Sequence, residues 1–548
     1  MSGRQDKLAI AGIWLVLVLA SLFSRSYIPI DETRYVTVAW NMWLRGDFLV
    51  PYLNGETYSH KPPLLFWLFN AGWWVFGVND WWPRLISSFF ALSGVFLTMR
   101  VARLLWPGRQ SVSTMAAVIL FGSLLWVIFS TATMFDMMIA FFTVLGMLGV
   151  LLAWQGNARS GWLMVGIAIG FGLLAKGPTI WLQILPVAVL APWWGKGNKH
   201  VWGRWYAGIL GAFAIGTVIA LAWAIPAGMR GGAEYQHAIF WGQTADRMVQ
   251  SFAHRRPLWW YLPLMPLMLF PWMLWLPAWR ALASMKNNLT DTGVRFCLAW
   301  FVPVFAAFTL ISGKQVHYLL PIFPAFALLL ARLLDIQAIP KRLDNLFPAL
   351  ALTGFGILLG LLHYVQQQTI PRWLTDISPI GGLVIIAIGV AMAEIRYANM
   401  QREVWKLAVL NVAAVLVFYL AVVKETGLVY DMRPISAQLK TIQDTGIPLA
   451  HVGKYYGQYQ FLGRLTQEPE VVSRKGLATW FSAYPSGKAI VYFGTRHPMG
   501  KLQPEYIQAY RGIHVVIIGR EAWMKYDGKK GGSKDDGNDG VNDDGIED

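Results

Sequence analysis

The sequence predicts an all-α membrane protein of about thirteen spans, followed by a small α/β domain. Three observations carry that reading. Hydrophobic residues make up 56% of the 548, and the mean hydropathy of +0.44 belongs to neither a soluble nor a disordered chain. Apolar stretches of roughly span length recur, with tryptophan pairs such as Trp73-Trp74 and Trp193-Trp194 at their ends, where amphipathic rings anchor at headgroup level. After Val423 the hydropathy drops, and the short β-rich runs 489–493 and 515–518 alternate with polar segments.

The first stretch, 8–23, is short for a span. A cleaved leader is the competing reading, with Val18-Leu19-Ala20 as a small-residue site, but it is no clean A-x-A pattern and a retained anchor is expected. The remaining stretches are 85–102, 115–129, 137–153, 163–174, 180–190, 209–225, 262–276, 296–311, 319–330, 346–362, 380–392 and 407–423.

With Arg4 and Lys7 on the cytoplasmic side, alternate connections carry Arg103 and Arg109, Arg159, Lys196 with Lys199 and Arg204, Arg280 with Lys286 and Arg295, Lys341 with Arg342, and Arg396 with Arg402 and Lys406. Every inner loop is then basic, which fixes orientation and, through the odd count, puts the C-terminal segment outside. The same dispersal explains the formal charge of +16 without a nucleic-acid partner. A single cysteine, Cys297, excludes an intramolecular disulfide and reads as a packing residue.

The domains expected are a membrane domain 1–424, an α/β domain 425–526 and a disordered acidic tail 527–548 ending Asp543-Asp544-Gly545-Ile546-Glu547-Asp548. Two outer loops, 24–84 and 226–261, are long, and function concentrates in such loops. Within the first, 35–44 and 64–76 are aromatic-rich and too short to span, as befits helices lying in the interface.

The first loop opens with Asp31-Glu32-Thr33-Arg34-Tyr35, two adjacent carboxylates that read either as a functional site or as a solvated loop start. Further on, Pro62-Pro63 fixes a turn that presents His60 and Lys61. A local hydrogen bond for His60 and snorkelling for Lys61 are the bland alternatives. The second loop carries Asp246-Arg247 and His254-Arg255-Arg256-Pro257, cations on the disfavoured face that suit a phosphate ligand or lipid headgroups. Asp136, Lys176 and Lys314 with Tyr318 fall on the same face, so ionisable groups from distant parts of the chain converge there. Carboxylates, imidazoles and cations together are equipment for displacing a phosphate leaving group.

Through Asp31-Glu32-Thr33-Arg34-Tyr35, Gly46-Asp47-Phe48-Leu49-Val50-Pro51, Lys61-Pro62, Lys176-Gly177, His254-Arg255-Arg256-Pro257, Trp260-Tyr261-Leu262-Pro263, Gly313-Lys314 and Tyr318-Leu319-Leu320-Pro321, the chain resembles the GT-C glycosyltransferases of the protein mannosyltransferase superfamily, most closely the 4-amino-4-deoxy-L-arabinose lipid A transferases. The resemblance covers most of the membrane part. It implies a GT-C fold in the bacterial inner membrane and inverting transfer of a sugar from undecaprenyl phosphate to lipid A or another acceptor at the periplasmic face. It places Asp31 as the essential carboxylate and Asp136 as a second acid. Arg34, Lys61 and Arg247 fall near the donor-lipid phosphate, and Glu32, Lys176, Arg255, Lys314 and Tyr318 line the cavity.

The family's glutamate before the Lys-Pro pair, which helps hold a divalent metal, is His60 here, so the metal site implied is His60 with His254, and zinc is the ion that imidazoles suit. Ala245-Asp246 stands where the family often has an acid and a histidine, which bears on donor and acceptor. A transporter or flippase of a lipid-linked sugar is the alternative. It would be expected to show repeated halves and broken helices, and no convincing internal repeat is present.

Overall fold

The computed structural model describes residues 3–195, 201–241, 255–337, 341, 343–364, 377–494 and 502–530. Two compact units result, one of Met1–Phe23, Ser59–Tyr364 and Ser378–Val422, the other of Ser24–Tyr58, Val365–Ile377 and Val423–Asp548. The stretch Ser24–Tyr58, expected within a continuous membrane domain, thus groups with the C-terminal residues.

Among the described residues of the membrane unit and its last helix, eight helices are long and apolar enough to cross a bilayer: Gly3–Ser24, Trp81–Leu105, Asp136–Trp154, Ala158–Lys176, Trp202–Trp241, Thr292–Leu310, Val316–Asp335 and Met400–Gly427. A ninth passes as a pair, Gln110–Phe121 with Leu124–Ser130, bent by 66°. Thr179–Val189, Leu346–Leu362 and Pro379–Glu394 are apolar but shorter.

Every apolar stretch read from the sequence except 262–276 coincides with one of these. That one is broken into Tyr261–Met268, a 3-10 turn Trp272–Leu274, and Leu276–Ala283. Pro271 and Pro277 explain the breaks, since each lacks a backbone donor and crowds the preceding turn. Leu210 and Val218 on the Trp202–Trp241 helix are 70% and 66% exposed, a surface that only lipid solvates favourably.

Two tight contacts matter for the site. The Asp136–Trp154 and Ala158–Lys176 helices form a hairpin, and a Cβ on Gly161 would sit 2.7 Å from the Gly149 carbonyl oxygen, so the backbones meet where side chains are absent. The first helix is tied into the unit by Trp14 Nε1, which donates to the Ser88 carbonyl at 3.0 Å, and by Arg84 Nη2, which donates to that of Ser21 at 2.6 Å.

In the other unit, the hairpin β1 (Tyr52–Leu53) and β2 (Glu56–Thr57) follows the helix Asp31–Arg45. The C-terminal part is a five-stranded mixed sheet in the order β4-β3-β5-β7-β6. Its strands are β3 (Leu449–Val452), β4 (Glu470–Val472), β5 (Lys488–Gly494), β6 (Tyr506–Tyr510) and β7 (Ile513–Gly519), the first three mutually parallel and β5, β7 and β6 antiparallel.

Period-2 alternation sends Ile490, Tyr492, Val515 and Ile517 toward the helix Arg433–Asp444 through Ile435 and Leu439. Ala489, Val491, Phe493, Val516 and Ile518 pack on the opposite face with Trp480, Phe481 and Trp523. The β-rich runs read at 489–493 and 515–518 are the cores of β5 and β7. The last helix, Arg520–Lys530, continues four residues beyond the expected domain end at 526, and the rest of the acidic tail lies outside the described residues.

Candidate functional site

In the membrane unit, helix length alone brings an acid to a base. Asp136–Trp154 and Ala158–Lys176 are 19 residues each, so an antiparallel hairpin sets the first residue of one beside the last of the other. At about 1.5 Å per residue each is about 28 Å long, a match to the hydrocarbon core, which places both residues at one boundary.

Lys176 Nζ donates to Asp136 Oδ1 in an ion pair whose side chains are 13% and 3% exposed. Each charge also suits its helix end, the acid in a first turn and the cation in a last one. His317 Nε2 stands 4.0 Å from the same carboxylate oxygen, and the Tyr318 ring lies 4.9 Å from Lys176 Nζ. The charge of Lys61 acts on Asp136 as well, from the turn ahead of the helix Leu64–Phe76.

Lys314, expected to line the cavity, is anchored to backbone carbonyls. It is 2% exposed, and its Nζ donates to the carbonyls of Ile311 at 2.6 Å and Arg256 at 3.1 Å. With Arg256 N donating to the Ser312 carbonyl at 3.0 Å and an antiparallel bridge between Arg255 and Gly313, it clamps the chain at 255–256 to the turn that carries His317 and Tyr318. Tyr261 reinforces the clamp by donating to the Gln315 carbonyl at 3.1 Å. Arg255 itself is exposed.

In the second unit, Asp31 and Glu32 diverge although they are neighbours. Glu32 is buried and receives both guanidinium nitrogens of Arg25, at 2.5 and 2.9 Å, and the Ile28 amide at 2.7 Å. This bidentate pair pins the chain entering the helix Asp31–Arg45. Asp31, 49% exposed, is held by Arg34 and accepts from the Tyr35 hydroxyl at 3.3 Å.

Arg34 lies between two rings, 5.6 Å from the centroid of Tyr35 and 5.9 Å from that of Tyr456. Burial works against its charge, but the hydroxyls of Tyr58 and Tyr35 with the Asp31 carboxylate outweigh it and hold the guanidinium above its ordinary pKa.

Of the residues singled out by sequence, Asp136, Lys176, Tyr318 and Lys61 share one neighbourhood in the membrane unit, and Asp31 with Arg34 share one in the other. Arg247 and His254 lie outside the described residues. His60 is exposed, and among the described residues no three His, Cys, Asp or Glu side chains gather as a metal site. The described residues therefore do not make up a closed site for the expected zinc ion.

Sequence reasoning missed Arg25, His317 and Tyr456. His317 could have been flagged by adjacency to Tyr318, whereas Tyr456, 422 positions after Arg34, gave no sequence signal.

The family model described as dolichyl-phosphate-mannose-protein mannosyltransferase matches residues 11–229. Two solved structures of ArnT from Cupriavidus metallidurans share the fold. The apo form has a TM-score of 0.73 at 18% identity, covering 95% of this chain and 99% of that one. The form bound to undecaprenyl phosphate has 0.71 at 19%, covering 94% and 98%. The fold is accordingly ArnT-like GT-C, mostly helical, with several apolar helices.

Curated relatives named undecaprenyl phosphate-alpha-4-amino-4-deoxy-L-arabinose arabinosyl transferase include one from Erwinia tasmaniensis, 32% identical over 315 residues, which are 55% of this chain and 54% of the relative. One from Pectobacterium carotovorum is 30% identical over 65% of this chain and 66% of its own, so the alignments span about half to two thirds of these relatives. The counterpart from Pectobacterium atrosepticum is 30% identical over 416 residues, 71% of each chain. On that similarity the chain belongs to the undecaprenyl phosphate-alpha-4-amino-4-deoxy-L-arabinose arabinosyl transferase family.

Proposed function

We propose that this protein is an inverting glycosyltransferase of the bacterial inner membrane, moving 4-amino-4-deoxy-L-arabinose or a related sugar from undecaprenyl phosphate to lipid A or another acceptor at the periplasmic face. The observation that carries this reading is Asp31. It is a half-exposed carboxylate in the first turn of its helix, oriented by Arg34 and Tyr35, at the position that the family resemblance gives to the essential acid.

In the reaction, an acceptor oxygen attacks the anomeric carbon while the bond to the phosphate oxygen breaks. Undecaprenyl phosphate leaves with the electron pair, and the configuration inverts. Asp31 orients the acceptor and, where the acceptor is a hydroxyl, takes its proton. A phosphate acceptor is already an anion and needs only the orientation. The family resemblance gives Lys61, Arg34 and Arg247 the task of neutralising the charge that grows on the leaving phosphate. Asp136 acts by fixing Lys176 and through it the Tyr318 ring.

Topology follows the same reading. We propose that the bent pair, the three shorter helices and the proline-broken segment 261–283 cross as well, about thirteen crossings in all, an odd number that goes with a periplasmic C-terminal unit. A reporter fused after residue 530 and active only in the periplasm tests it; activity in the cytoplasm overturns it. We further propose that His60 and His254 take part in binding zinc. Metal analysis of the purified protein against a His60→Ala, His254→Ala double variant tests that, and equal zinc content contradicts it.

The functional test is mass analysis of purified protein in vesicles with undecaprenyl-phosphate-linked aminoarabinose and lipid A. Transfer yields modified lipid A and free undecaprenyl phosphate. Translocation of the donor without its consumption would instead make the protein a flippase.

A further inference from the structure

We infer that the C-terminal unit is a positioning device for the Asp31–Arg34 pair, acting through the loop 453–469 between β3 and β4, with Tyr456 as the residue that fixes the Arg34 guanidinium. The inference rests on the transferase reading for its kinetic consequence, and on geometry for the contact itself.

The loop is shaped from below by buried polar groups of the sheet. His451, on β3, meets the Gly453 carbonyl through Nδ1 at 3.1 Å. The Tyr456 amide donates to Gln458 Oε1 at 3.0 Å, and Gln458 Nε2 donates in turn to the Tyr492 hydroxyl of β5 at 2.9 Å. Gln460 Nε2 donates to the Leu465 carbonyl at 3.0 Å. His451, Gln458, Gln460 and Tyr492 are all buried, so these bonds form in a medium where leaving them unmade is costly.

From above, the loop grips the carboxylate helix. Thr37 Oγ1 donates to the Gly457 carbonyl at 2.6 Å and accepts from the Phe461 amide at 3.3 Å. Trp40 Nε1 donates to the Leu465 carbonyl at 2.9 Å, and Asn41 Nδ2 to Glu468 Oε1 at 2.7 Å. Gly457 has φ +74°, and a Cβ there would lie 2.7 Å from Thr37 Cγ2, so the helix and loop are as close as backbone permits.

Arg34, Thr37 and Asn41 are spaced three and four apart, on one face of the helix. The loop that holds Thr37 and Asn41 therefore also reaches Arg34, through the ring of Tyr456. Arg34 Nε has no hydrogen-bond partner among the described residues, which leaves Asp31 and the flanking rings to set where the guanidinium points. A cation on an aromatic face keeps its interaction when the hydroxyl is removed and loses it when the ring is.

The test uses the full-length protein with Tyr456→Phe and Tyr456→Leu, reading kcat, KM for the lipid-linked sugar, thermal unfolding, and amide hydrogen exchange of the peptide spanning 31–45. Tyr456→Phe is expected to match the wild type throughout. Tyr456→Leu is expected to lower kcat about tenfold with KM within about twofold, to keep the unfolding temperature, and to speed exchange in the first turn of the helix. Wild-type kcat and exchange in Tyr456→Leu overturn the inference and leave the transferase reading intact. If the wild type itself transfers no sugar, the transferase reading fails, and the exchange data alone decide whether Tyr456 positions the helix.

Discussion

Two acid–cation pairs, one in each unit, use the same chemistry in opposite ways. Asp136 and Lys176 are nearly buried at the mouth of a helix hairpin, with His317, Lys61 and Tyr318 around them. Asp31 and Arg34 sit in the first turn of an amphipathic helix, where the acid is half-exposed. A buried pair strongly resists the loss of one partner, because the other is left charged in a poor solvent. An exposed pair contributes little to stability and leaves its carboxylate available to a reactant. The contrast supports the proposal that Asp136 serves to hold Lys176 while Asp31 stays open to a reactant.

The largest expected effect breaks the buried pair. Lys176→Met should cost about 3 kcal/mol, at the low end for such a pair because His317 and Lys61 still act on Asp136. Adding Asp136→Leu should restore most of the loss. An unfolding temperature unchanged by Lys176→Met would contradict that holding role.

The next effect concerns the scaffold under the loop of the second unit. Burial pushes the His451 imidazole down to about 4, against a smaller opposing effect of its bond to the Gly453 carbonyl. A depressed histidine binds its proton in the unfolded chain before it does in the folded one. Its contribution is therefore complete above about pH 6.5 and lost as pH falls toward 4, up to about 3 kcal/mol in all. Unfolding monitored across that window should show the decline, and His451→Gln should flatten it; an equal slope in both proteins would contradict the assignment.

The smallest effect sharpens the contrast at the donor. Lys61→Ala should weaken binding of undecaprenyl phosphate about tenfold, a loss of about one charge-assisted hydrogen bond, with little change in unfolding. Equal affinity measured by calorimetry in detergent would remove Lys61 from the phosphate site.

Much of this molecule was legible in its sequence. Apolar length located the helices, since lipid leaves a spanning segment no other way to satisfy its backbone. Alternation located β5 and β7. The stretch 262–276 is broken into short helices that its hydropathy does not show, because hydropathy counts proline-rich apolar residues like any others, while backbone geometry does not.

Among site residues, the sequence put Asp136 and Lys176 on one face, but their pairing shows only in the structure, where the two helices have equal length. For Lys314 the charge is visible in the sequence and the carbonyls of Ile311 and Arg256 that it meets are not. Glu32 was hidden by its neighbour in the same way, since only the structure shows that Arg25 takes it and leaves Asp31 exposed. Tyr456 was unreachable, because its meeting with Arg34 depends on the tertiary fold of the second unit.

Asp31 is the residue proposed to do chemistry and not structural work. Replacing it with asparagine keeps the shape and removes the charge, so the direct measurement is the single-turnover rate of Asp31→Asn on saturating lipid-linked sugar, beside its unfolding temperature. The rate is expected to fall by at least about a hundredfold with unfolding unchanged. A rate equal to that of the wild type in the folded variant would contradict it.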